Sequence, residues 1–171
     1  MRACIECPMV WRGEIKCPAC GYPGEPIEGR EWIAEVPGPP IGKGRPRAST
    51  RGGHVRLYTP SRTAAWEGRA SVVLRDDWEA RAAKQGPLEG DVEIHVLALF
   101  PRPKRMIWKR KPMPRERYLG KPDASNVLKA VEDALEKAGV YRDDKQIWKA
   151  TIVCLYCAGD ESPLVRLRLR W

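Results

Sequence analysis

Between Pro122 and Gly139 the sequence writes one amphipathic helix, and that helix limits the folds open to the chain. At about 100° per residue, Val127, Leu128, Val131, Ala134, Leu135 and Ala138 fall within one arc of roughly 120°, with Asn126, Lys129 and Asp133 opposite. A stripe that wide has to be covered by another layer of structure. The flanking segments supply one. Residues 31–36 read as a strand stopped by Pro37-Gly38-Pro39-Pro40, and 91–100 alternates Val92, Ile94, Val96, Ala98 and Phe100 on one face, the pattern of a half-buried strand. A short extended piece is expected at 54–58. Residues 147–156 and 164–171 read as the last two strands, a hairpin about Gly159-Asp160-Glu161-Ser162-Pro163. An earlier helix starts at Thr59-Pro60-Ser61 and runs to about Lys84, with Gly86-Pro87 as its stop. The order β, α, β, α, β, β predicts an α+β fold, one mixed sheet with two main helices.

The 171 residues carry 31 Lys+Arg against 22 Asp+Glu, a net charge of +9, and 43% of them are hydrophobic. Such an apolar share excludes a wholly disordered chain, and no apolar run approaches the ~18 residues of a spanning helix. The opening Met-Arg-Ala-Cys-Ile-Glu-Cys has no apolar signal core, so a cytoplasmic protein without a membrane partner is expected. The excess charge is concentrated. Residues 101–121 hold nine bases against Glu116 alone, or +8, and residues 43–62 hold six bases and no acid, or +6, leaving the other 130 residues at −5. Clustering of this kind is the footprint of a polyphosphate partner, the plain alternative being solvated loops. Both stretches are rich in Pro and Gly and read as loops or arms, not packed elements.

Cys4-x2-Cys7 and Cys17-x2-Cys20 are separated by nine residues. Each pair can turn two thiolates toward one ion, so residues 1–28 are read as a zinc knuckle in which Cys4, Cys7, Cys17 and Cys20 hold a structural Zn2+, ahead of a main domain at 29–171. Free thiols or redox pairs are the alternatives. Four cysteine ligands leave no open position, so this would not be a catalytic metal. Cys154 and Cys157 would face opposite sides of a strand and are read as buried or half-buried thiols. His54 and His95 have no partner at ligand spacing.

The acids offer a second constellation. Asp123 stands just ahead of the second helix, whose positive end and free N–H groups favour an ionised carboxylate. Asp143 and Asp144 follow Gly139 and precede the strand at Ile147. Carboxylates converging beside a basic surface are a usual way to hold Mg2+ against a phosphodiester. The bland reading has Asp123 or Ser125 as an N-cap, Lys129, Asp133 and Lys137 as an ion-pair ladder, and Asp143-Asp144 as a turn.

At these residues the sequence resembles the RusA family of Holliday junction resolvases. The family core is similar to Pro-Asp-x-Asp-Asn-x-x-Lys on a helix, then Asp-Ala-Leu, then Asp-Asp before a strand. Here stand Pro122-Asp123, Asn126, Lys129, Asp133-Ala134-Leu135 and Asp143-Asp144, with Pro39-Pro40, Gly42-Lys43-Gly44-Arg45-Pro46-Arg47 and Tyr58-Thr59-Pro60 upstream. Ser125 replaces the family's second metal-binding aspartate, with Glu132 or Asp133 available to restore the charge. The resemblance implies a Mg2+-dependent endonuclease acting on four-way DNA junctions, working as a homodimer. Asp123 and Asp144 would hold the metal, Asp133 and Asp143 would stand behind them, and Lys129 would neutralise transition-state charge. Lys43, Arg45 and Arg47, with Arg102, Lys104, Arg105, Lys109, Arg110, Lys111 and Lys121, would grip the branched DNA. Trp108 and Tyr118 could stack on unpaired bases or simply pack. A zinc-containing junction binder without activity and a broader flap or fork nuclease are the competing readings.

Overall fold

The computed structural model describes residues 2–4, 10–11, 24–26, 30–50, 54–81, 86–107 and 113–171. Its first strands, β1 (Arg2–Cys4), β2 (Val10–Trp11) and β3 (Gly24–Pro26), form a small antiparallel sheet in the order β2-β1-β3. Cys4 lies in β1 opposite Gly24, while Cys7, Cys17 and Cys20 of the expected knuckle lie outside the described residues.

The main sheet has five strands: β4 (Glu31–Pro37), β7 (Val92–Phe100), β8 (Glu116–Arg117), β9 (Ile147–Tyr156) and β10 (Leu164–Arg170), ordered β4-β10-β7-β9-β8. Only β7 and β9 are parallel. A parallel pair needs a long crossover, and α2 (Ala124–Ala138) lies within it. The two-stranded ribbon of β5 (Arg47–Ser49) and β6 (Arg56–Tyr58) precedes α1 (Ser61–Arg81).

Two expectations are corrected. The last strands are not a hairpin: β10 runs antiparallel to β4 and β7, with Val165 opposite both Val36 and Ala98. Residues 157–163 carry the chain past the end of β7, where the Cys157 N–H donates to the Phe100 carbonyl at 2.9 Å and the Gly38 N–H donates to Pro163 at 2.9 Å. Nor is β7 half-buried; all nine of its residues are buried. As the centre strand it packs Val92, Ile94 and Val96 with the helices, while Leu97 and Leu99 join Cys157 in a separate cluster. Glu93 and His95 are enclosed on that second side, where Lys149 and Arg170 reach Glu93 at 2.6 and 3.2 Å.

The basic stretches are also less loop-like than their composition predicts, since β5, β6 and β8 all fall in them. The helices meet expectation. Along α1, Trp66, Ala70, Leu74 and Trp78 recur every fourth residue and are buried against the sheet, with Trp78 edge-on to Trp32 and Trp171. Along α2 the buried set is Val127, Ala130, Val131, Ala134, Leu135 and Ala138, with Leu128 partly buried against the same core. Gly139 closes it at φ 75°, where a Cβ would be strained, and its N–H caps the Leu135 and Glu136 carbonyls. Cys154 is half-buried and Cys157 buried, both as free thiols. No helix among the described residues is long and apolar enough to cross a membrane.

Candidate active site

The exposed edge of α2 begins with Asp123, which is the helix N-cap. Its Oδ1 accepts from the Asn126 backbone N–H and the Ser125 hydroxyl, both at 2.9 Å, and its Oδ2 accepts from the Asn126 side-chain amide at 2.9 Å. The Asn126 N–H above all, then the Ser125 hydroxyl and the charge of Lys129, hold its carboxyl below the ordinary carboxylate range. Asp123 is therefore anionic and locked in direction. Ser125, standing where a carboxylate was expected, orients the first one. Val127, in the first turns of the helix, packs with Cys154 and Tyr156, so the helix start lies over the C-terminal half of β9.

Asp143 and Asp144 occupy a short 3-10 turn, Asp144–Gln146. Asp143 caps it, accepting from the Lys145 N–H at 3.0 Å, and that bond first of all keeps its carboxyl low. Gln146 fixes the turn in place: its amide N–H donates to the Leu88 and Gly90 carbonyls at 2.8 and 3.0 Å, and its oxygen accepts from the backbone of Arg142 and Asp143. Tyr141, buried just ahead, donates to the Glu132 carbonyl at 2.9 Å. The Glu132 carboxyl is pushed up by burial and then by the charges of Asp144 and Asp133.

Lys129, exposed between these groups, acts electrostatically on both Asp123 and Glu132. Asp123 and Glu132 stand nine residues apart, about 13 Å along the helix axis, so they cannot share one ion. Among the described residues, no three His, Cys, Asp or Glu side chains come together where a metal could sit. The donors present are nonetheless all oxygens, and Mg2+ is usually taken by one or two carboxylates together with substrate phosphate and water. That chemistry fits Asp123 and Asp144.

Asp133 has a different partner from the one expected. Lys43 reaches across to it, and the same ammonium lies 3.0 Å from Glu67 on α1. Burial opposes that charge, but the two carboxylates outweigh burial and hold the ammonium above its ordinary value. Glu67, 1% exposed, also receives Lys137. Sequence reasoning missed Glu67; the signal available was a carboxylate set within the apolar stripe of α1. The Lys43 N–H donates to the Asn126 carbonyl at 2.7 Å, and a Cβ on Gly42 would overlap Pro122, so this loop lies directly on the first turn of α2.

Among the expected DNA contacts, Lys43 is thus turned inward, and Arg102 is too. The Arg102 guanidinium is 5% exposed and donates to the carbonyls of Cys157, Met106 and Pro114 and to Glu116. Arg45, Arg47, Lys104, Arg105 and Lys121 are exposed, whereas Lys109, Arg110 and Lys111 lie outside the described residues, as does Trp108. Tyr118 packs: its ring stacks on Phe100 at 3.6 Å and meets Tyr156 edge-on.

An acid-flanked lysine exposed on a helix that packs on a mixed sheet, with exposed arginines near the helix start, equips a protein to handle phosphodiesters. The comparison with known proteins gives that class its family: the family model described as Endodeoxyribonuclease RusA matches residues 37–170, and the chain belongs to the RusA family of endodeoxyribonucleases. The protein of Bacillus subtilis (strain 168) named Uncharacterized protein YqaN is 29% identical over 140 residues, covering 79% of this chain and 92% of that one. The Crossover junction endodeoxyribonuclease RusA of Aquifex aeolicus (strain VF5) is 25% identical over 129 residues, covering 75% of this chain and 84% of its own. The four-cysteine segment lies ahead of the residues the family model matches.

Proposed function

We propose that this chain is a Mg2+-dependent endonuclease that cuts four-way DNA junctions by paired nicks. The observation that carries this reading is Asp123, fixed by three hydrogen bonds at the cap of α2, with the exposed Lys129 following it on the same helix. Asp123 and Asp144 are the carboxylates assigned to the metal, and Asp143 holds the turn that presents Asp144. Ser125 brings no charge of its own and instead orients Asp123. Bound Mg2+ would supply Lewis acidity and a more acidic water at the scissile phosphate. Asp123, held by three hydrogen bonds, needs no reorientation when substrate arrives. Lys129 meets the charge that builds on the phosphoryl oxygens. Two matched nicks call for two equal sites, which a two-fold homodimer provides. The zinc reading of Cys4, Cys7, Cys17 and Cys20 is part of this proposal and is supported by their spacing.

The test is nicking of a synthetic four-way junction in Mg2+, with forked and linear duplexes as comparison substrates. Asp144→Asn and Asp123→Asn are expected to abolish nicking while junction binding persists, since each removes a charge but keeps the side-chain shape. Normal cutting by both variants would overturn the site. Equal cutting of fork and junction would overturn the junction preference.

A further inference from the structure

Beside the start of α2 a pocket of about 490 Å³ opens between the 40–47 loop, the first turn of α1 and the Lys121-Pro122 step that leads into Asp123. Four of its lining residues, Arg45, Arg47, Arg62 and Lys121, are exposed cations. None of the four has an ion-pair partner among the described residues, in contrast to Lys43 on the same loop. No acid and no aromatic ring lines it; its other walls are Pro, Gly, Ile and Thr. A cavity with no ring to stack a base and no carboxylate to share a metal selects for negative charge alone. The walls are also fixed. Thr63 Oγ1 receives the Gly44 N–H at 3.2 Å, and a Cβ on Gly44 would come within 2.9 Å of Pro60, so the loop is set close against α1 with little room to shift.

Resting on the nuclease reading above, we propose that this pocket seats the phosphodiester backbone of one DNA strand next to the strand's cleavage point, with Arg62 as a phosphate ligand outside the two stretches' expected contact set. A strand held by Arg45, Arg47 and Arg62 leaves past Lys121 and Pro122, and the next residue is Asp123. Pocket and acids are therefore successive stations on one path, and the pocket sets which phosphate reaches Lys129. Its selectivity is for backbone charge and not for base identity, because guanidinium and ammonium groups against Pro and Gly walls read no base edge.

The experiment measures binding of the full-length protein to a labelled four-way junction in EDTA over a range of salt, and nicking of the same junction in Mg2+. Arg62→Gln is expected to lower the slope of log affinity against log salt by about 1 and to weaken binding roughly fivefold to tenfold at 0.1 M salt. Arg62→Gln with Arg47→Gln is expected to lower the slope by about 2. The control is Arg81→Gln, which removes the same charge from the far end of α1, about 28 Å along its axis, and should leave the slope unchanged. An unaltered slope in Arg62→Gln, or an equal loss in Arg81→Gln, overturns the pocket. Asp144→Asn in the same series keeps the two ideas apart: if it nicks normally the active-site reading falls, while the salt slopes still decide the pocket.

Discussion

Residues 43–62 and 101–121 read alike in sequence, both Pro-rich, strongly basic and almost free of acid. In the fold they part. The first stretch divides its charges: Lys43 turns in to Glu67 and Asp133, and Arg45, Arg47 and Arg62 face the pocket at the helix start. The second ties two of its six described cations into the fold and leaves Lys104, Arg105, Arg117 and Lys121 exposed. Arg102 donates to four acceptors on three segments from a buried position, Arg115 is bonded through Nε to both Glu161 oxygens at 2.9 Å, and Tyr118 fills a stack. Lys121, at its very end, joins the first group. Charge density in a sequence therefore locates a footprint only after the internal partners are known, because a desolvated guanidinium and a solvated one contribute identically to net charge.

The largest effect that sharpens this contrast is expected at Arg102. Replacing it with Met removes donors to the Cys157, Met106 and Pro114 carbonyls and to Glu116, leaving the carbonyl of the buried Cys157 short of a partner and unlinking the segments that the guanidinium joins. A loss of about 3 kcal/mol in urea unfolding is expected, against less than about 0.5 kcal/mol for Lys104→Met nearby on the surface. Equal, small losses for both would show that the second stretch is as solvated as its composition suggests.

A smaller loss is expected at Lys43→Met. Glu67 is buried and would keep Lys137 alone, so about 2 kcal/mol is the expected cost. The affinity for junction DNA should hold its salt slope, since this ammonium is already neutralised inside the protein. A lowered slope with full stability would instead return Lys43 to the DNA-facing set.

Much of this was legible in the sequence because it is local. The stripe of α2, its stop at Gly139 and the cap at Asp123 are set within a turn or two of each residue. The pairing of β10 with β4 and β7 was not legible, since a short turn after a strand suggests its neighbour and nothing nearby marks a distant partner. The enclosure of Glu93 and His95 was hidden in the same way: an alternating strand signals a wet second face, whereas Arg170 and Lys149 converge on Glu93 only once three strands are aligned. At the site, the residues of the motif were evident, but Lys43's attachment to Asp133 depends on Glu67 from another helix. That third member takes Asp133 into an ion pair and leaves Glu132 without one among the described residues.

The smallest expected effect lies where the two stretches meet the site. Cys154 has its thiol pushed from an ordinary 9.0 up to about 11, by burial first and by the negative charge of Asp123 second. The folded protein therefore keeps the proton where an unfolded chain has released it. The thiol's contribution to stability is complete below pH 9.0 and is lost as pH rises toward 11. Iodoacetamide labelling at Cys154, followed by peptide mass spectrometry, should be slow at pH 8 and rise about tenfold per pH unit up to that range. Asp123→Asn removes one of the two causes while keeping an acceptor for the helix cap, so labelling at pH 8, measured where both proteins are fully folded, should become faster. If the rate does not move, burial alone holds the proton on Cys154.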